Sequence, residues 1–248
     1  MQHERNSRNS TVSSSNVSYL RSVPAARQID YQISALGIPA IGRQSHFTKR
    51  QTVFKHGDPA THLFWVEQGA VMIQQYLKDG RRQLVEIILP GDIRGFSRGQ
   101  TYGANCETLE PSVLRVCCKK ELERCTEFSW LIVRQVERQL CAMQEHALGL
   151  GRMTAQERVC ALLLKLVGTK FEDPKYLYFH ISGALNLHIQ LPMTRGEIGD
   201  YLGHSLETVC RTMTELQRNS VIEIGQNHRD VVIGGFQRLK KLAGYCRS

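Results

Sequence analysis

The chain has 248 residues, 42% of them hydrophobic, and a formal net charge of +9 at pH 7. Its uninterrupted apolar stretches are far shorter than the ~20 residues that a membrane-spanning helix needs, and its first residues lack the apolar core of a secretory signal. The composition therefore excludes a membrane protein and favours a cytoplasmic, globular one. The positive charge favours an acidic partner such as nucleic acid, but charge alone does not establish that partner.

Residues 1–30 are rich in Ser, Asn and Arg and carry too few apolar side chains to offset the entropy of ordering them, which predicts a flexible tail. Over residues 31–126 we expect a β-rich sensor domain, because short β-branched and aromatic runs alternate there with glycine-containing turns. This texture is typical of an antiparallel sandwich or barrel. Asp79-Gly80 has the composition of a tight hairpin turn in which both central residues adopt positive φ.

An apolar stripe in steps of three and four residues predicts a long helix over residues 127–150. The helix either packs on its own domain or pairs with a second copy of the chain, and its length and polar flanks favour a dimer interface. Gly149-Leu150-Gly151 at its end is a candidate hinge. The predicted dimer residues are Val133, Val136, Leu140, Met143, Ala147 and Leu150.

A second domain is predicted over residues 151–248, beginning with a capping box formed by Thr154 and Glu157. Near its end, β-branched runs at 221–224 and 231–233 flank a polar turn and predict a β-wing. The turn residues Asn227, His228 and Arg229 either contact DNA phosphates, which position a protein without reading sequence, or are solvated.

Between these features, the segment 193–218 encodes two short helices. The first has Thr194 and Glu197 as a capping box and ends at Gly203, a residue suited to the left-handed conformation. Ser205 caps the second helix, whose apolar side chains share one face. Two capped helices joined by about three residues predict a helix-turn-helix. The core-facing residues of the second helix are Val209, Met213 and Leu216.

The exposed face of that second helix carries the residues that we expect to contact DNA. Glu207 and Arg211 lie one turn apart near the helix N-terminus. Arg can donate two hydrogen bonds to guanine O6 and N7, while Glu can accept one from the N4 amine of cytosine. The alternative is a surface ion pair between the two, worth ~0.3 to 0.5 kcal/mol. The candidate DNA-binding residues are Leu206, Glu207, Thr208, Cys210 and Arg211.

These motifs resemble the CRP/FNR family of bacterial regulators, and within it the FNR and FixK branch. The likeness covers residues 40–243, is densest over 193–211, and includes Gly91-Asp-Ile-Arg-Gly-Phe96 and Leu242-Ala-Gly244. It implies an α+β fold with an N-terminal antiparallel β-roll like a double-stranded jelly roll, a long dimerisation helix and a C-terminal winged helix-turn-helix. It also implies a homodimer that binds a palindromic site on double-stranded DNA and recruits RNA polymerase.

Departures from the family narrow what the resemblance implies. Cyclic-AMP receptors hold the phosphate with an arginine where this chain reads Gly103-Ala-Asn-Cys106, and oxygen-sensing FNR proteins carry N-terminal cysteines, whereas none precedes Cys106. The chain is therefore most similar to FixK, a regulator of microaerobic or anaerobic respiration and nitrogen fixation without its own cofactor. Leu206 stands where cyclic-AMP receptors place a guanine-reading arginine, which implies a TTGA-like half-site. The alternative is a haem- or ligand-gated regulator of the same family, responsive for example to nitric oxide.

The eight cysteines contain no C-x-x-C pair, so we expect mostly reduced thiols and neither a zinc ribbon nor a disulfide scaffold. Cys210 is either a redox switch, because its oxidation would place bulk or charge against DNA phosphates, or a small contact residue. A metal or haem site in the sensor domain would have to use side chains whose spacing matches no strong template, namely Cys117, Cys118, Cys125, His46, His56 and His62. We predict no cofactor, no metal site, no catalytic residues and no enzymatic activity.

Overall fold

The computed structural model describes residues 42–123, 126–171 and 187–244. The tail predicted over residues 1–30 lies outside the described residues, as does Cys125. Among the described residues, no helix is both long enough and apolar enough to cross a membrane.

The N-terminal part is a β-roll made of two four-stranded antiparallel sheets, as the glycine-punctuated strand pattern predicts. The strand orders are β1-β8-β3-β6 and β2-β7-β4-β5. Apolar side chains from both sheets, such as Phe54, Val66 and Ile88, meet in the interior. The strands are β1 (Arg43–Phe47), β2 (Thr52–Phe54), β3 (His62–Gln68), β4 (Val71–Tyr76), β5 (Arg82–Ile88), β6 (Ile93–Arg94), β7 (Asn105–Thr108) and β8 (Ser112–Cys118).

The hairpin that joins β4 to β5 differs from the predicted turn. Gly80 has φ +85°, but Asp79 does not adopt positive φ, so the expectation of two such residues is wrong. The loop is longer than two residues, because the Leu77 amide donates to the carbonyl of Arg81 at 2.9 Å. In this wider loop a single left-handed residue completes the reversal. The Asp79 carboxylate instead accepts a hydrogen bond from the Arg81 amide at 3.1 Å.

After the short helix α1 (Lys119–Leu122), the predicted long helix is present as α2 (Thr126–Arg152). It continues through the glycines that were expected to form a hinge, and the Met153 amide still donates to the carbonyl of Gly149 at 3.0 Å. The break lies at Met153 and Thr154 instead. There the predicted capping box is confirmed: the Thr154 amide donates to Glu157 Oε2 at 2.7 Å, and the Glu157 amide to Thr154 Oγ1 at 3.3 Å.

The C-terminal part packs four helices on a three-stranded antiparallel sheet of order β10-β11-β9 within the described range. Its core is built from side chains such as Val159, Leu163, Ile198 and Met213, which are all at most 2% exposed. The sequence did not predict β9, a short strand that pairs with the wing. The elements are α3 (Ala155–Phe171), β9 (Leu187–Gln190), α4 (Arg195–Leu202), α5 (Leu206–Arg218), β10 (Ile222–Ile224), β11 (Asp230–Ile233) and α6 (Phe236–Leu242).

Candidate nucleic-acid interface

Helix α4 is closed at both ends by the residues that the sequence indicated. The Glu197 amide donates to Thr194 Oγ1 at 3.3 Å, and the Thr194 amide donates to Glu197 Oε2 at 2.8 Å, so the capping box is confirmed. Gly203 ends the helix in the left-handed conformation at φ +69°. Both ends of α4 are therefore fixed by local hydrogen bonds and backbone geometry.

The turn between α4 and α5 depends on Gly199, a residue that the sequence pattern did not single out. A Cβ atom on Gly199 would lie 2.5 Å from the carbonyl oxygen of His204, closer than real Cβ atoms approach. The His204 amide donates to the Gly199 carbonyl at 3.0 Å, so the turn lies directly on α4. A glycine in the middle of a predicted helix was the available signal, because such a residue often marks a close backbone approach.

Helix α5 begins at the predicted cap and buries the predicted face. Ser205 Oγ accepts a hydrogen bond from the Thr208 amide at 3.2 Å. The side chains of Val209, Met213 and Leu216 are at most 1% exposed, which confirms their assignment to the core. The helix is therefore held at its start and along one side, so that its other side has a defined direction.

The opposite side of α5 presents the predicted DNA-binding residues to solvent. Leu206 is 55% exposed, and Glu207, Cys210 and Arg211 are exposed as well. Thr208 is half-buried, and its hydroxyl lies 2.9 Å from Ser205 Oγ in the cap. In the part of the chain that the structure describes, no ion pair joins Glu207 to Arg211, one helical turn apart. Their side chains are therefore available to a ligand outside the protein.

The wing lies beside α4 and is ordered by its own side chains. Asn227 Oδ1 accepts hydrogen bonds from the amides of Arg229 and Asp230, both at 2.9 Å. Arg195 Nη2 donates to the His228 carbonyl at 3.0 Å, which ties the start of α4 to the wing. Asn227 thus organises the turn, and the predicted phosphate contacts of the wing remain a prediction for His228 and Arg229.

Arg195 is the first residue of α4, and Cys210 lies on the exposed side of α5. Burial lowers the pKa of the Arg195 guanidinium, and a thiolate at Cys210 would act in the opposite direction. Arg195 Nη1 is buried without a hydrogen-bond partner among the described residues. Cys210 itself is a free, exposed cysteine.

Helix α2 has two different faces. On one, Gln135 Nε2 donates to the carbonyl of Gly91 at 2.8 Å and Gln139 Nε2 donates to Glu86 Oε2 at 3.2 Å, so this face is bonded to the β-roll. On the other lies the predicted apolar stripe, whose members other than Ala147 are between 37% and 55% exposed. The stripe consists of Val133, Val136, Leu140, Met143, Ala147 and Leu150. A large apolar surface of this kind is characteristic of an interaction site.

The interior of the β-roll contains a buried acid–base pair. Arg94 Nε donates to Glu86 Oε2 at 2.9 Å, its Nη2 donates to Glu86 Oε1, and its Nη1 donates to the Ile93 carbonyl at 2.6 Å. The stretch Gly103–Cys106 offers no cation for a cyclic phosphate, and Cys106 is buried with its pKa raised by that burial. Because Arg94 is bonded to Glu86, it is not available to bind a phosphate. This part of the β-roll therefore does not fit a cyclic nucleotide.

Among the described residues, the side chains considered for a metal or haem site are not gathered into one cluster. Cys118 faces His62 across the β3–β8 ladder, whereas His46 lies on the outer strand β1. Cys117 is buried, and burial raises its pKa to about 11. No group of three or more His, Cys, Asp or Glu residues that could hold a metal ion occurs within residues 42–123, 126–171 and 187–244.

Comparison with known proteins matches both parts of the chain. Residues 44–127 match the cyclic nucleotide-binding domain, and residues 157–242 match the Crp-like helix-turn-helix domain. The nitrogen fixation regulation protein FixK of Bradyrhizobium diazoefficiens is 32% identical over 188 residues, which cover 74% of this chain and 76% of that protein. The transcriptional activator protein FnrL of Cereibacter sphaeroides is 31% identical over 199 residues, 78% of this chain and 77% of that protein.

Solved structures give the same result. FixK2 from Bradyrhizobium japonicum superimposes with a TM-score of 0.67 at 30% identity, over 82% of this chain and 97% of that chain. A CRP-family transcriptional regulator from Thermus thermophilus has the same TM-score at 21% identity, over 82% of this chain and 98% of that chain, and supports the fold alone. The relatives named here are transcription regulators, not enzymes. The chain therefore belongs to the CRP/FNR family and is a DNA-binding regulator of transcription.

Proposed function

We propose that the protein acts as a homodimer that places helix α5 of each subunit in successive major grooves of a palindromic DNA site. One observation carries this proposal: Glu207 and Arg211 are exposed and not bonded to each other, on a helix whose start and inner face are fixed. In a major groove, Arg211 would donate to guanine O6 and N7, and Glu207 would accept from the N4 amine of cytosine. The two chains of a symmetric dimer then require an inverted repeat with half-sites about one DNA turn apart.

The exposed residue at the start of α5 supports a particular half-site. Leu206 offers an apolar surface that suits the methyl group of thymine. Together with the Glu207 and Arg211 contacts to a G·C pair, this favours a TTGA-like half-site. Thr208 and Cys210 flank these residues and complete the proposed contact surface.

The apolar stripe of α2 supports the dimer. Its side chains recur along the helix in the pattern of a two-stranded coiled coil, while the opposite face is bonded to the β-roll of the same chain. Replacing Leu140 with Glu would place a charge inside the proposed seam, so sedimentation analysis should show single chains. Leu148→Glu is the matched control, because Leu148 is 64% exposed but lies about 100° around the helix from Ala147. If both variants associated as strongly as wild type, the proposed dimer interface along α2 would be contradicted.

The relatives suggest the biological setting. FixK is named for the regulation of nitrogen fixation and FnrL as a transcriptional activator. We propose that this protein is an activator in the cytoplasm that recruits RNA polymerase, and that it controls genes of microaerobic or anaerobic respiration or of nitrogen fixation. It has no enzymatic role in this proposal.

Selection of bound duplexes from random DNA under reducing conditions tests the proposed site. We expect enrichment of inverted repeats of a TTGA-like half-site, with centres about 10 base pairs apart. Enrichment of an unrepeated sequence, or of no sequence, would contradict the proposal.

A redox role for Cys210 remains a separate proposal. It is supported by the exposure of this thiol on the proposed DNA face. Peroxide treatment should then weaken operator binding of the wild-type protein and leave Cys210→Ser unaffected. Cys141→Ser, which removes the other exposed cysteine of the described residues, is the control and should lose affinity like wild type. Equal losses in wild type and Cys210→Ser would exclude the switch.

A further inference from the structure

The β-roll contacts α4, the first helix of the helix-turn-helix, through a bidentate ion pair. Arg50, in the turn between β1 and β2, donates from Nη2 to Glu197 Oε2 at 2.8 Å and from Nη1 to Glu197 Oε1. These residues are 147 positions apart in sequence, and Glu197 is only 4% exposed. Burial alone raises the pKa of Glu197, but the hydrogen bonds from Arg50 and the Thr194 amide hold that pKa below its usual range. The carboxylate is therefore charged and bound from both sides.

A second contact lies near the other end of α4. Arg82 on β5 donates to Asp200 Oδ2 from Nε at 3.1 Å and from Nη2 at 2.6 Å. Its neighbour Gln83 donates from Nε2 to the carbonyl oxygen of Asp200 at 2.5 Å. Two attachment points on an eight-residue helix fix the direction of its axis as well as its position.

The backbone of Arg50 is strained where it makes the first contact. Its φ of +65° lies in the left-handed region that non-glycine residues seldom adopt. The conformation is held by a hydrogen bond from the Arg50 amide to the carbonyl of Thr108 at 3.0 Å. Strain of this kind persists where the surrounding structure enforces it, commonly at positions that serve a function.

These bonds all reach α4 and leave the recognition surface of α5 open. Leu206, Glu207 and Arg211 stay exposed while α4 is held. The contacts between the β-roll and α4 are therefore compatible with DNA binding, because they do not cover the exposed side of α5. Since the turn at Gly199 packs α5 directly on α4, an orientation imposed on α4 is passed on to α5.

We propose that Arg50, Arg82 and Gln83 are positioning residues for DNA recognition: by fixing α4 on the β-roll, they set the distance between the two α5 helices of the dimer. Without them each helix-turn-helix would move relative to its own β-roll, and the protein would accept half-sites at several separations. This inference rests on the proposed dimeric recognition of an inverted repeat. It assigns to the β-roll a mechanical role in site selection that requires no ligand.

The test uses Arg82→Asp and a panel of inverted repeats whose half-site separation changes one base pair at a time. We expect wild type to prefer one separation, and Arg82→Asp to lose about fivefold in affinity there and to bind the panel more evenly. Arg81→Asp is the matched control, because Arg81 is the adjacent residue, forms its ion pair with exposed Asp79 of the same turn, and changes the net charge equally. It should retain the wild-type preference.

The charge swap Arg82→Asp with Asp200→Arg restores both the ion pair and the net charge, so it should restore the preference for one separation. Arg82→Gln, which removes the charge and keeps a polar side chain, decides the question if the aspartate variant does not fold. The positioning role would be overturned if Arg82→Asp and Arg82→Gln both kept the wild-type preference for one separation. It would also be overturned if the charge swap did not restore that preference. If wild type itself shows no preferred separation, the proposed dimeric recognition fails and the positioning role fails with it.

Discussion

A glutamate and an arginine lie near each other in two different regions of this molecule, but only one of these pairs forms an ion pair. Glu86 and Arg94 lie inside the β-roll, where their side chains are 12% and 8% exposed, and they are bonded to each other. Glu207 and Arg211 lie on α5 in solvent, with no ion pair between them in the described structure. Burial forces charges to pair because an unpaired charge loses its hydration without compensation. Exposed charges can stay unpaired because water hydrates them, and the proposed function assigns Glu207 and Arg211 to DNA contacts.

The largest expected effect comes from breaking the buried pair. Arg94→Met should lower the free energy of unfolding by about 3 to 5 kcal/mol, because it leaves the Glu86 carboxylate uncompensated. Arg211→Met should change it by less than about 0.5 kcal/mol, as a surface substitution does. Urea denaturation of both variants measures the contrast. Similar losses of stability in the two variants would contradict the prediction that Arg94 stabilises the fold and Arg211 does not.

The next effect is on DNA binding. Arg211→Ala should weaken binding to the preferred site by about 1 to 3 kcal/mol and relax the choice of base at one position in each half-site. The measurement is a titration with duplexes that carry each of the four base pairs at that position. A uniform loss on every duplex would instead mark Arg211 as a phosphate contact.

Features that depend on residues close together in the chain could be predicted from the sequence. The capping boxes at Thr154 and Thr194 and the core face of α5 were predicted correctly, because each depends on residues within one or two helical turns. Gly203 was predicted for the same reason. The pairing of Arg94 with Glu86 was not predicted, because it depends on how strands β5 and β6 are placed in the fold.

Long-range contacts were equally invisible in the sequence. The sequence places Glu197 in the capping box, but the bond from Arg50 requires the β-roll and α4 to meet in space. The supposed hinge at Gly149 failed for a related reason: glycine permits a break in a helix but does not enforce one. Thr154, whose cap starts the next helix, decides where the chain turns.

A smaller effect is expected at the cap of α4. Thr194→Ala removes the side-chain acceptor for the Glu197 amide and should lower the free energy of unfolding by about 1 kcal/mol. Thermal and urea unfolding measure this change. The Thr194 hydroxyl also donates to Glu197 Oε2 at 3.0 Å, but the loss should be smaller than that of Arg94→Met because Glu197 keeps its ion pair with Arg50. A loss of stability larger than that of Arg94→Met would contradict this prediction.

The smallest effect is a pH dependence at the contact between α2 and α4. His146 stacks on Tyr201 with ring centroids 4.2 Å apart, and burial, then Lys165 and Arg158, lower its pKa, while Glu86 opposes them. The unfolded chain therefore takes up a proton at higher pH than the folded one, so stability should fall as pH drops below the ordinary histidine pKa of about 6.5.

His146→Phe keeps an aromatic ring at this position and cannot titrate. Urea unfolding at a series of pH values between about 7 and about 5, which bracket the ordinary histidine pKa, should show a smaller loss of stability for this variant than for wild type. Parallel curves for the two proteins would contradict the assignment.

In the proposed function, two copies of the chain read DNA together through Glu207 and Arg211. The most direct test is a binding titration at fixed salt with three duplexes: an inverted repeat of the selected half-site, a single half-site and a scrambled sequence. We expect two chains on the inverted repeat, markedly weaker binding to the other duplexes, and a smaller preference in Arg211→Ala. Equal affinity for the inverted repeat and the scrambled duplex, or one chain on the inverted repeat, would contradict the proposed function.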